Sequence, residues 1–363
     1  MIEKPELKKE LSLLEITLVG IGNILGAGIY VLMGKAASLA GNMVWFSFLF
    51  AGITAALSAF SYMELSSMYP RAGAEYEFVK KAFGERTGFL VGLLVVYYVV
   101  ITSSAVALGF ERYFSNLFGV KGLTTIICLF IVLSLIMIHG IKDSAWLAIF
   151  ISFIEIFGLL IVIYIGLPYI GKVNYLETPG MRGILEASTL IFFAFLGFED
   201  IVRLSQETKE AEKTIPKALF TAIFFTVFLY ICVAITSVSV LDFRVLGLSG
   251  APLADVAAVS LGNKAFVLMS WIALFSTMNT VLVVMLGGSR IVYGMACSGS
   301  LPKSLSRLHP HYRTPWVAIL GVACLSTLFI LLKDIEIVAN IANFMIFIVF
   351  FMINLSLIKL RHV

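Results

Sequence analysis

Leu18-Val19-Gly20-Ile21-Gly22-Asn23-Ile24-Leu25-Gly26-Ala27-Gly28-Ile29-Tyr30 is an apolar stretch interrupted by four glycines and an asparagine. It lies within a run, 12–38, that is long enough to cross a bilayer, which takes about 20 mostly apolar residues. Each interior glycine costs roughly 1 kcal/mol of helix propensity relative to alanine. A cluster of them at mid-depth invites an unwound segment, whose freed N–H and C=O groups must line a protein cavity because they cannot face lipid. The same letters admit a second reading, close helix packing through Gly22-x-x-x-Gly26. A dinucleotide loop is excluded, because no strand–turn–helix unit surrounds the glycines.

The rest of the chain supports a membrane setting. Of 363 residues, 60% are hydrophobic and 13% charged, against roughly 45–50% and about 25% in soluble domains. Net charge is only +4, and no basic patch points to nucleic acid. Cys128, Cys232, Cys297 and Cys324 lack metal spacing, and all lie in or beside apolar segments, which argues against a metal centre and a disulfide framework. The first apolar run is too long for a signal-peptide core and is expected to remain as a span.

Ten segments qualify as spans: 12–38, 43–69, 87–118, 122–139, 144–170, 183–206, 215–241, 264–298, 315–332 and 335–358. They are expected to be helices, since strands could span only as a closed barrel. Of the 26 Lys and Arg, eighteen fall on the side of the N-terminus and eight on the other, which puts both termini in the cytoplasm. The expectation is one transmembrane domain, 1–363, with five-helix halves at 12–170 and 183–358. An odd-numbered half inserts opposite to its copy, the arithmetic of an inverted repeat. Pro70–Gly84 reads as a short interfacial helix, and Thr214-Ile215-Pro216 as an N-cap with proline in the first turn.

Chemistry-bearing residues gather on a few spans. In the sixth, Phe192-Phe193-Ala194-Phe195-Leu196-Gly197-Phe198 is followed by Glu199 and Asp200. An intramembrane carboxylate usually faces an interior path; Glu199 is read that way and Asp200 as solvated at the cytoplasmic end. A break here would stand at the position matching the glycine cluster of the first span, the arrangement of a transporter site at mid-membrane. Glu155 lies eleven residues past Ser144, about 16 Å along a helix, on a face with Ala148, Ser152, Gly158 and Gly166. That carboxyl could exchange a proton, or be a structural hydrogen-bonding group. Ser276, Asn279, Thr280 and Gly287 share one face of the eighth span, and Asn340, Asn343 and Asn354 recur on the tenth; interhelical hydrogen bonding accounts for either set equally well.

The chain resembles the amino acid–polyamine–organocation transporter superfamily. The ordered motifs are Gly22-Asn-Ile-Leu-Gly-Ala-Gly-Ile29, Tyr62-Met-Glu64-Leu, Pro70-Arg-Ala-Gly73-Ala-Glu75-Tyr76, Ala82-Phe-Gly84, Phe195-Leu-Gly197-Phe-Glu199, Ile215-Pro216-Lys-Ala218 and Gly288-Ser-Arg290-Ile-Val-Tyr293-Gly-Met-Ala296. The resemblance implies the five-plus-five fold of the bacterial leucine transporter, with the first and sixth helices discontinuous. It implies that amides of Gly26, Ala27, Gly28 and Ile29 hold a substrate carboxylate, and that carbonyls near Phe192, Phe193 and Phe195 hold the ammonium. Ile24 and Asn279 join that substrate set, Phe193 takes the position of an aromatic gate, and Phe198 shapes the side-chain pocket. Glu199 matches an acidic residue of the arginine–agmatine exchanger. Glu155 falls where proton-coupled relatives carry a lysine.

The expected function is secondary active transport of amino acids or related amines by alternating access in the cell membrane. Its partners are a small-molecule substrate and the lipid bilayer, with no nucleic acid and no fixed oligomeric state. No cofactor is expected; the coupling ion is a proton, or a sodium ion in its place, held by Glu155, Glu199, Ser276 and Thr277. The alternatives are an exchanger or sodium symporter of the same fold and, more remotely, a membrane-embedded enzyme. Residues 192–198 contain no unmatched charge, which suggests a substrate with a neutral, apolar side chain.

Overall fold

The computed structural model describes residues 7–262, 264–330 and 335–361, without the side chains of residues 27, 31 and 335–343. The described residues form helices and connecting turns, with one isolated bridge between Leu11 and Thr208. In chain order the helices are α1 (Leu13–Ala40), α2 (Val44–Met68), α3 (Ala74–Phe83), α4 (Glu85–Phe118), α5 (Leu123–His139), α6 (Ile141–Gly166) and α7 (Met181–Phe192). They continue with α8 (Phe198–Arg203), α9 (Ala211–Val240), α10 (Phe243–Leu248), α11 (Pro252–Leu261), α12 (Lys264–Cys297), α13 (Trp316–Phe329) and α14 (Ile335–Leu360). Among the described residues six helical stretches are long and apolar enough to cross a membrane, and α5, α11, α13 and the described part of α14 are shorter apolar helices.

The surface explains the composition. Phe150, Phe153 and Phe157 on α6, and Phe220, Phe224 and Phe228 on α9, are each more than half exposed. At three- and four-residue spacing they form aromatic stripes that no water-facing helix would carry. The opposite face of α6 is small and polar: Ala148, Ser152, Glu155, Gly158 and Gly166 are all buried, as their common face predicts. The chain is a multi-pass membrane protein whose apolar residues divide between lipid and interior.

Helix α1 is the hub, packed against α6, α7, α9, α10 and α12. Ser12 caps it through a reciprocal box with Glu15, so two donors of the first turn are satisfied. Helix α3 is the short helix expected after Pro70. It closes on the end of α12, where Tyr76 bonds Ser300 at 2.9 Å and Ser298 donates to Glu77 at 2.8 Å.

One local expectation is corrected. Thr214 is not an N-cap: α9 begins at Ala211 after Glu210, whose carbonyl accepts from both Lys213 and Thr214, so a turn forms ahead of Pro216. The Thr214 hydroxyl instead bonds the Lys209 carbonyl. The link between α9 and α12 also holds α10 and α11, helices too short to show as spans; α10 lies against α1.

The segment before α1 and the turn after α8 are fastened by Arg290. Its Nε and Nη2 each reach a Glu207 oxygen at 2.8 Å, and both residues are buried. The Glu207 carbonyl also accepts from the amides of Glu10 and Leu11. Removing one partner of such a buried pair costs about 3–5 kcal/mol, because the other charge is stranded. Arg290→Met is therefore expected to lower the thermal unfolding temperature in detergent sharply, and Arg290→Met with Glu207→Leu to recover most of the loss. A double variant as unstable as the sum of the singles would contradict this.

Candidate functional site

Two helix breaks face each other in the middle of the bundle. In α1 the helical run is interrupted at Gly26, whose φ and ψ are 4° and −165°. In the second, α7 tightens into a 3-10 turn at Phe193–Phe195, Leu196 is extended, and α8 restarts at Phe198. Gly197 has φ of 114°, a left-handed conformation that favours glycine. The breaks approach closely: a Cβ on Gly28 would stand 2.9 Å from the Ala194 Cα, and one on Gly26 would stand 2.7 Å from the Thr280 hydroxyl. Close packing and an unwound segment were competing readings of this glycine cluster; the structure contains both.

Tyr230 of α9 ties the breaks together. Its hydroxyl lies 2.8 Å from the Ile24 carbonyl and 3.2 Å from those of Leu25 and Ala194. One donor thus serves carbonyls on both breaks. Its ring is held edge-on by Phe48 and Phe195. Asn23 adds a second tie, donating to the Gly197 carbonyl at 2.9 Å and to Asp200 at 2.8 Å.

Glu155 is fully buried where α6, α1 and α12 meet. Tyr30 donates to its backbone carbonyl at 3.1 Å. Its carboxyl faces Ser276 and Asn279 of α12. Yet among the described residues both carboxyl oxygens, the Ser276 hydroxyl and both Asn279 amide atoms lack a partner at hydrogen-bond geometry. Gly22 opens this space, since a Cβ there would come within 2.9 Å of the Asn279 amide nitrogen. Thr277 is turned elsewhere: its hydroxyl bonds the Ala273 and Leu274 carbonyls, and its methyl faces Gly109 of α4.

Glu199 is buried and accepts from the Gly197 amide at 2.9 Å and the Tyr98 hydroxyl at 3.3 Å. Asp200 is not solvated, contrary to its place near the end of the span. It is 1% exposed and accepts from Arg203 and Asn23. The reason is tertiary: α8 packs against α1 and α12, where Asn23 bonds Asp200 and a Cβ on Gly287 would run into an Asp200 carboxyl oxygen, while Glu75 of α3 reaches the same arginine.

The aromatic residues divide. Phe192 stacks on Phe347, Phe195 meets Tyr230, and Phe198 packs between Tyr62 and Phe350, so these three rings pack with α2, α9 and α14. Phe193 is half-buried and pairs with no ring among the described residues. Asn354 has an amide oxygen without a partner, whereas the side chains of Asn340 and Asn343 lie outside the described set. Sequence reasoning missed Tyr230, Glu75, Arg203 and the place of Thr280 beside Gly26. Only the charge of Arg203 so near a span gave a signal. Tyr230→Phe keeps the ring but strands carbonyls at both breaks, a cost of about 1–3 kcal/mol. A clear fall in thermal stability of the substrate-free protein in detergent is the expected result, and an unchanged melting curve would deny the bridge.

Comparisons with known proteins agree with this architecture. The chain is 28% identical to the branched-chain amino acid permease BcaP of Bacillus subtilis, over 98% of this chain and 81% of that one. It is 29% identical to a methylthioribose transporter of the same organism, over 85% of this chain and 72% of the relative. It is 25% identical to the vacuolar cationic amino acid transporter 4 of Arabidopsis thaliana, over 99% and 64% respectively. A family model described as amino acid permease matches residues 11–363. With both breaks inside that match, the chain belongs to the amino acid permease family.

Proposed function

We propose that this protein is a secondary active transporter of amino acids with neutral side chains, working by alternating access in the cell membrane. The observation that carries the reading is the pair of facing helix breaks joined through Tyr230. Helix N-terminal amides favour an anion and freed carbonyls favour a cation. The two ends of a zwitterionic amino acid supply one of each. In this reading the amides of Gly26 to Ile29 take the carboxylate, and carbonyls of Ile24 and Phe192 to Phe195 take the ammonium. Phe193 is the ring free to close over the substrate.

The ten spans are α1, α2, α4, α5 and α6, then α7 with α8, α9, α12, α13 and α14. They form two inverted five-helix halves, with the start of α1 on the cytoplasmic side. The Lys/Arg asymmetry and the breaks at the first helix of each half support this layout. The relatives named for branched-chain and for cationic amino acids leave the side chain open. The lack of charge at residues 192–198 favours a neutral one.

Coupling is assigned to a proton at Glu155. A fully buried carboxyl among unpartnered polar atoms can exchange a proton when water reaches it from one side. The same atoms could instead hold a sodium ion, the reading kept open by Ser276. Counterflow of the purified protein in liposomes, across a panel of amino acids and polyamines, tests the function. Exchange of a neutral amino acid is expected; none with any substrate, or exchange of lysine and arginine in preference, would overturn the respective parts.

Gly26→Leu and Gly28→Leu should abolish substrate binding, measured by calorimetry on protein whose circular dichroism and monodispersity match the parent. Undiminished affinity in either would leave the α1 break as packing only. Glu155→Gln mimics the protonated carboxyl at similar volume. It should retain binding but lose the pH dependence of that binding and the uphill uptake driven by a proton gradient. If parental uptake requires a sodium gradient at constant pH, the residue is a cation ligand; if the variant matches the parent under both gradients, coupling lies elsewhere.

A further inference from the structure

Below the α8 break, three carboxylates surround a single guanidinium. Arg203 reaches one oxygen of Glu75 with Nε at 3.0 Å and Nη2 at 2.7 Å, and Asp200 with Nη1 at 2.5 Å. Glu199 is the third carboxylate in the field of the same arginine. Arg203, Glu75 and Glu199 are 0% exposed and Asp200 is 1% exposed. The uncharged titratable neighbours are Tyr62 of α2, which donates to Glu75, and Tyr98 of α4, which donates to Glu199. The other buried arginine, Arg290 of α12, is taken by Glu207. The second oxygen of Glu75 has no hydrogen-bond partner among the described residues.

Charge counting decides what such a cluster must do. With every carboxyl ionised it would hold two uncompensated negative charges away from water. A buried carboxylate that lacks a cation takes a proton instead of paying that desolvation penalty. We propose that Glu75, Glu199, Asp200 and Arg203 form a proton-binding site, separate from Glu155, that holds at least one proton while Glu75 of α3 is joined to Arg203 of α8. The site is wired to the breaks: Asp200 accepts from Asn23, three residues before Gly26, and Asn23 also holds the Gly197 carbonyl. It is wired to the opposite end by Glu75, which belongs to α3. Parting Glu75 from Arg203 would admit water, allow every carboxyl to ionise and release the proton. By linkage, proton binding favours the closed arrangement, and raising the pH favours opening. This goes beyond the assignment of Glu155 and does not depend on it.

Infrared spectroscopy of the purified, substrate-free protein reads the proton directly through the C=O stretch of a carboxylic acid. Glu155→Gln is the background, because it removes the fully buried carboxyl outside the cluster; Glu77, 6% exposed and bonded by Ser298, is common to every variant compared. A protonated-carboxyl band is expected to persist at neutral pH in Glu155→Gln. It should be lost in Glu155→Gln/Glu199→Gln/Asp200→Asn, where Glu75 and Arg203 match one to one. Absence of the band from Glu155→Gln at neutral pH overturns the proposal without any cluster variant, and so does a band unchanged in the triple variant. As alkali removes the band from Glu155→Gln, hydrogen exchange across Ala74–Phe83 should accelerate many-fold; constant exchange refutes the link to closure. The coupling role of Glu155 is read separately, in gradient-driven uptake, so either assignment can fail alone.

Discussion

A backbone group in the middle of a membrane must find a partner inside the protein, and this constraint organises the whole bundle. Breaking α1 at Gly26 and the α7–α8 pair at Leu196–Gly197 frees carbonyls and amides where no water is at hand. The breaks survive because neighbouring helices come to them. Tyr230 from α9 serves Ile24, Leu25 and Ala194, and Asn23 serves Gly197. The hydroxyl and the amide hold the geometry of the breaks.

The helices around them are built with two unlike faces. On α6 the aromatic stripe of Phe150, Phe153 and Phe157 faces outward, and the small stripe through Ser152, Glu155 and Gly158 faces α1 and α12. Glycines set the approach distance. A Cβ on Gly158 would lie 2.8 Å from Ile272 of α12, and one on Gly22 would enter the space held by Ser152 and Asn279. The same small residues that allow close packing therefore place Glu155 against unpartnered polar atoms. Structure and chemistry at this point are one arrangement.

The end of the bundle where α1 starts carries two buried arginines. Arg203 and Arg290 are both fully buried, and each draws carboxylates from a distant part of the chain. Glu75 comes from α3 and Glu207 from the turn after α8, so loops that would otherwise be loose are fixed to helix ends. Ion pairs removed from water add little net stability, but they are costly to leave half-made.

Much of this was legible in the sequence. Composition alone required membrane helices, the glycine cluster marked the α1 break, and the spacing around Glu155 gave the buried face of α6. These features are local or periodic, and a span has to satisfy them by itself. Other features depend on residues far apart in the chain. Tyr230 looks like any aromatic in an apolar helix until the fold brings it to Ile24, 206 residues away. Asp200 reads as a solvated helix end until α1 and α12 pack against it, and Thr277 shares a sequence neighbourhood with Ser276 yet turns to α4. Hydrophobic transfer and helix periodicity are fixed by the sequence itself. Which orphaned carbonyl meets which hydroxyl, and which carboxylate meets which arginine, is decided by tertiary packing, because the partner group exists at that spot only once the helices have assembled.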